Sequence, residues 1–143
     1  MPSKIRAFGI DTSVFLRLLT GHPAADFEAT AAALKRLHDE PSAVELFVSN
    51  QVIGEAYIVL QHFYGISKSD ARNAMRDLFY SGSLSPLNGK PVIDILQAGD
   101  GAGLMDRLIA QGYQHAGLEI LTRDKKMARL PGAVALGVRT GKP

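Results

Sequence analysis

The chain has 143 residues, 46% of them hydrophobic and 21% charged, enough for one domain with a real core and too few for two. It has no cysteine, which excludes disulfides and thiolate metal sites and fits a reducing, cytoplasmic setting, and no apolar run approaches the roughly 20 residues of a membrane span. The net charge of +2 is compatible with a polyanionic partner and is too small to argue for one, and "MPSKIRAFGID" has no sustained apolar segment to read as a signal peptide.

In chain order, residues 5–10 are rich in Phe and Ile and predict a short buried strand. Asp11 then marks a strand end feeding a helix over 13–19, with Thr12 or Ser13 as plausible caps, Asp11 itself as an alternative cap, and Gly21 and Pro23 as the stop. An Ala-rich helix follows over 24–40, and "ELFVS" (45–49) reads as a second strand. "NQVIGEAYIVLQHFYG" carries Val52, Ile53, Ala56, Tyr57 and Leu60 on one helical stripe, with Gly65 as the stop. Another helix starts near Ser67 or Ser69 and ends by Gly82. The Gly-rich stretch 82–103 is expected to be mostly loop, with one short helix around "VIDIL". A helix over 103–117, a strand "LEILT" (118–122), the segment "DKKMARLP" and a strand "AVALGV" (133–138) complete the chain.

Strands separated by helices require crossovers, and so predict a largely parallel sheet covered on both faces. In such folds ligands sit beyond the carboxyl ends of the strands. Asp11 stands at one such end, inside an apolar run where a carboxylate is costly unless its charge is needed. Asp124 directly follows another strand, with Thr122 two residues before it. Glu55 opens a helix just after the second strand, and Asp106 lies near the start of the helix before the third. Glu55 lies about 130° and Asp106 about 110° from the centres of their apolar stripes. These are flank positions that solvated acids also occupy, so spacing alone leaves convergence open. Asp94 and Asp100 compete with Asp106 but lie in the Gly-rich stretch. The four histidines show no paired spacing and are assigned to surface or packing.

The segments "IDTSVFLRLL", "VIGEAYIVL", "GLMDRLIA" and "LEILTRDKKMARLPGAVAL" resemble the four signature blocks of the PIN domain, in order, across about residues 7–137. Their spacing most resembles the VapC-like toxin ribonucleases. The resemblance implies a single PIN-like domain over 1–143, a three-layer α/β/α fold with a central, mostly parallel sheet. It also implies an acidic quartet of Asp11, Glu55, Asp106 and Asp124 as catalytic and metal-binding residues, with Thr12, Ser13 and Thr122 as supporting polar groups. Ser13 stands where the family usually has Asn, and "GAGLM" replaces the acidic or aromatic residues common before the third acid.

The chemistry implied is metal-dependent hydrolysis of RNA phosphodiester bonds. Mg²⁺ or Mn²⁺ suits oxygen-only ligands, and clustered carboxylates without a cation would repel one another. Arg123, Lys125, Lys126 and Arg129 flank the fourth acid as candidate RNA-backbone contacts, although a solvated charged turn would look the same. Setting four of the fourteen acids aside leaves ten against sixteen Lys and Arg, a basic remainder. The resemblance further implies a cognate antitoxin protein, a homodimer using apolar surface of "FVSNQVIGEAYIVL", and no membrane association. The alternatives are a PIN-fold nuclease outside toxin–antitoxin systems and a non-catalytic RNA- or protein-binding module. A phosphatase or receiver domain fits less well, because Ser13 stands where a second Asp would be needed and no strand-end Asp stands mid-chain.

Overall fold

The computed structural model describes residues 5–39 and 43–137. The last residue expected in the Ala-rich helix, Glu40, and of the final strand, Val138, lie outside the described residues, as do residues 1–4 of the N-terminal stretch.

Strand β1 (Ile5–Gly9) runs through Ile10 to Asp11 and turns into helix α1 (Thr12–Thr20). Asp11 itself caps α1, the cap role open to it from the sequence, and Thr12 and Ser13 do not. Its backbone is extended and its carboxylate reaches the third N–H of the helix, leaving Thr12 as the first helical residue. Gly21 ends α1 in the left-handed conformation, φ +66°, and its N–H donates to the Arg17 carbonyl. Helix α2 (Ala24–His38) buries no residue completely. Strand β2 (Ala43–Val48) begins two residues earlier than its apolar pattern suggests. Helices α3 (Asn50–His62) and α4 (Lys68–Tyr80) are capped by Ser49 and Ser67, whose hydroxyls accept from Val52 and Asp70 N–H.

The Gly-rich stretch holds the expected short helix, α5 (Lys90–Gln97), and an unexpected two-residue strand, β3 (Ser85–Pro86). β3 is too short for any periodicity, and its Pro86 is tolerated because the strand lies at a sheet edge. Helix α6 (Leu104–His115) leads to β4 (Ile120–Thr122), a 3-10 helix over Met127–Arg129, and β5 (Ala133–Ala135).

Among the described residues all strand pairs are parallel. The fold is the expected three-layer α/β/α arrangement of helices and parallel strands. Its strands hydrogen-bond as two units, a three-stranded sheet in the order β1-β2-β3 and a β4-β5 pair, where one central sheet was expected. The main core contains Phe15, Val48, Ile53, Leu60, Met75, Val92 and Leu96, all essentially inaccessible. Phe15 stacks on Phe79 with ring centroids 5.9 Å apart. A smaller cluster of Ala110, Ile120 and Met127 ties α6 to the β4-β5 pair. Among the described residues no helix is long and apolar enough to cross a membrane.

Candidate active site

Asp11 sits beyond the carboxyl end of β1, exposed to solvent. Its Oδ1 accepts from the Val14 N–H at 3.1 Å and from the Ser13 hydroxyl at 2.7 Å. The Ser13 hydroxyl, and next the Val14 N–H, hold the Asp11 carboxyl below its ordinary range, because both bonds favour the charged form. Ser13 therefore supports Asp11 despite its short side chain.

Glu55 lies in the second turn of α3, also exposed. Its Oε2 accepts from Thr12 Oγ1 at 2.9 Å, a contact across 43 residues that joins Glu55 to the neighbour of Asp11. Its Oε1 accepts from Gln51 Nε2 at 3.4 Å, one helical turn back. Both carboxylate oxygens are thus oriented by side-chain donors. Gln51 was not singled out from the sequence, although the i, i+4 spacing to Glu55 is a legible signal.

Asp106 is the third residue of α6 and is half-buried. Its neighbour Met105 packs on Gly54, the neighbour of Glu55, so closely that a Cβ at position 54 would lie 2.8 Å from Met105 Cε. Gly54 inside an apolar helical stripe is the sequence trace of this close approach. The chain neighbours of Glu55 and Asp106 therefore touch across the α3–α6 seam.

Asp124 is placed differently. Its Oδ1 accepts from the Met127 N–H at 2.8 Å, and its own N–H donates to Thr122 Oγ1 at 3.0 Å. Together Thr122 and Asp124 shape the turn into the 3-10 helix, and no hydrogen bond joins them to the other three acids among the described residues. Arg123, Lys125, Lys126 and Arg129 are all exposed and form no ion pair with another described residue. The four histidines are exposed too, as a surface assignment expects, and His38 lines the apolar cavity beneath α2.

Among the described residues no three Asp, Glu or His side chains gather into a group that could hold a metal ion. A hydrated Mg²⁺ or Mn²⁺ needs less than that. It is commonly held by one or two carboxylates, with water and substrate phosphate completing the shell. Asp11 and Glu55, exposed and offering only hard oxygen, fit that smaller donor set, and the chain has no thiolate to favour zinc.

Parallel strands, with an acid beyond the end of the first and a second acid bonded to the same turn, define an α/β protein with exposed carboxylates past its strand ends. The family model described as PIN domain matches residues 9–133, and the chain belongs to the PIN domain family. Among curated proteins and among solved structures there is no match.

Proposed function

We propose that this chain is a metal-dependent endoribonuclease and acts as the toxin of a toxin–antitoxin pair. The observation that carries the reading is the Thr12–Glu55 hydrogen bond, which draws the second acid to the strand end that presents the first. When bound, a divalent ion would lower the pKa of its water and offset charge on the phosphate. Asp11 and Glu55 would hold it, Asp11 in its charged form by virtue of Ser13 and Val14. Asp106, on the helix that packs against α3, would reach the ion through one of its waters. Asp124 would act from the rim, where Arg123, Lys125, Lys126 and Arg129 would follow the RNA backbone by charge.

Two protein partners fit the surface. The exposed apolar side chains Ile58, Met105 and Ile109 line one groove between α3 and α6 and suit a second copy of the chain. An antitoxin would cover the apolar cavity of about 440 Å³ lined by Leu18, Phe27, Leu34, Leu46 and Leu84, beneath the loosely packed α2. It would also plug the acidic site.

The test is incubation of the purified chain with total RNA, with Mg²⁺, with Mn²⁺ and with chelator, beside Asp11→Asn and Asp106→Asn. Cleavage that needs the metal and is lost in both variants is expected. Cleavage unchanged by chelation or by the substitutions would overturn the reading. The ungathered acids favour a second reading, a PIN-fold module that binds RNA or protein without cutting. RNA retained by the wild-type chain but never cleaved, with either metal, would select it.

A further inference from the structure

Gln111 is the one polar side chain that the fold buries among the described residues, 6% exposed in the middle of α6. Its Oε1 accepts from Asn50 Nδ2 at 2.8 Å and from Asn88 Nδ2 at 2.9 Å. Asn50 Nδ2 also donates to the Leu108 carbonyl at 3.0 Å. The three amides come from three segments. Asn50 opens α3 immediately after β2, Asn88 lies between β3 and α5, and Gln111 belongs to α6. A single carbonyl oxygen thus ties the segments leaving two neighbouring parallel strands to the helix that carries Asp106.

An apolar side chain at position 111 would serve packing equally well, because apolar contact has no direction. Hydrogen bonds converging on one oxygen fix the register of α6, since they weaken steeply with misalignment. The orientation of Asn50 is also forced. Turned over, its Oδ1 would face the carbonyl of Leu108 and Oε1 of Gln111, two acceptors. Asn50 accepts this orientation although it leaves its Oδ1 buried without a hydrogen-bond partner.

We propose that Gln111 is a positioning residue. By holding Asn50 and Asn88 on one oxygen, it sets how α6 meets α3, and so the separation of Asp106 from Glu55. This rests on the reading of those acids as a metal-binding site.

The experiment compares Mn²⁺ binding, read from the electron paramagnetic resonance of free Mn²⁺, in the wild type, Gln111→Met, Asn88→Ala, Asp106→Asn and Gln111→Met/Asp106→Asn. All are measured at a temperature where circular dichroism shows native helix content, and RNA cleavage is recorded alongside. Gln111→Met keeps the length and removes the acceptor. It is expected to weaken Mn²⁺ binding about tenfold or more, the scale at which outer-shell partners act. In the Asp106→Asn background the same change should weaken binding no further, because its effect passes through Asp106. Affinity unchanged by Gln111→Met despite a lower melting temperature would overturn the proposal, as would equal losses in both backgrounds. If Gln111→Met does not fold, Asn88→Ala, at a half-buried loop position, decides by the same criterion: weaker Mn²⁺ binding supports the proposal and unchanged binding overturns it. A wild type that binds Mn²⁺ but cuts no RNA sinks the ribonuclease reading alone, and the positioning role is still judged on the metal. A wild type that binds no Mn²⁺ overturns the positioning role.

Discussion

Asp11 carries two duties in one side chain, and they separate by substitution. Its carboxylate caps α1 through the Val14 N–H, and its charge is offered at the end of β1. Asn caps a helix about as well as Asp, whereas Ala loses about 1 kcal/mol. Asp11→Asn should therefore leave the melting temperature nearly unchanged, and Asp11→Ala should lower it by about 3 °C in calorimetry. RNA cleavage should fall in both, by more than the about 100-fold upper range of outer-shell losses. The pH dependence follows from the lowered pKa of the folded state. As pH falls, the unfolded chain takes up the proton first. The stability contributed by the Asp11 charge is complete above the ordinary carboxylate range and is lost as pH drops through the folded value, below about pH 4. A melting-temperature series against pH should show wild type losing more than Asp11→Asn in that window. An equal loss would mean the charge contributes nothing to stability.

At the scale of elements, the α3–α6 seam and the turn after β4 make opposite demands. Gly54→Ala adds helix propensity worth about 1 kcal/mol and crowds Met105 by a similar about 1 kcal/mol, the crowded atom being the flexible end of the side chain. Thermal unfolding should therefore move little. A drop in cleavage at equal stability would show that the Met105 contact helps place Asp106. At the other turn, Asp124 holds the Met127 N–H. Asp124→Ala should cost about 1 kcal/mol of stability and Asp124→Asn almost none. If the fourth acid serves chemistry as well as the turn, Asp124→Asn should still cut less RNA than wild type at equal stability. Full activity in that variant would leave Asp124 as a cap alone.

The whole molecule depends on one dominant core, and Phe15 joins it to the strand end that presents Asp11. Phe15 is fully buried, stacks on Phe79 and follows the acid by four residues. Phe15→Ala should destabilise by about 3–5 kcal/mol, a large share of the about 5–15 kcal/mol that holds a typical domain, read from urea unfolding. A loss under about 1 kcal/mol would mean that the site collapses around the smaller side chain.

The amphipathic helices, the strands β1 and β2 and the acids after them were legible in the chain, because periodicity, capping and strand-to-helix punctuation act over a few residues. The identity of the α1 cap was not, since Asp11, Thr12 and Ser13 all have capping chemistry and only the backbone turn chooses among them. β3 exists only because β2 offers it an edge. The division of the strands into two sheets, the Thr12–Glu55 bond, the Gly54–Met105 approach and the amides gathered on Gln111 all join residues far apart in sequence. By itself the sequence determined which elements form and where each acid sits along the chain. The tertiary structure alone decided which acids meet, because hydrogen bonds and close packing between distant segments leave no period in the sequence to read.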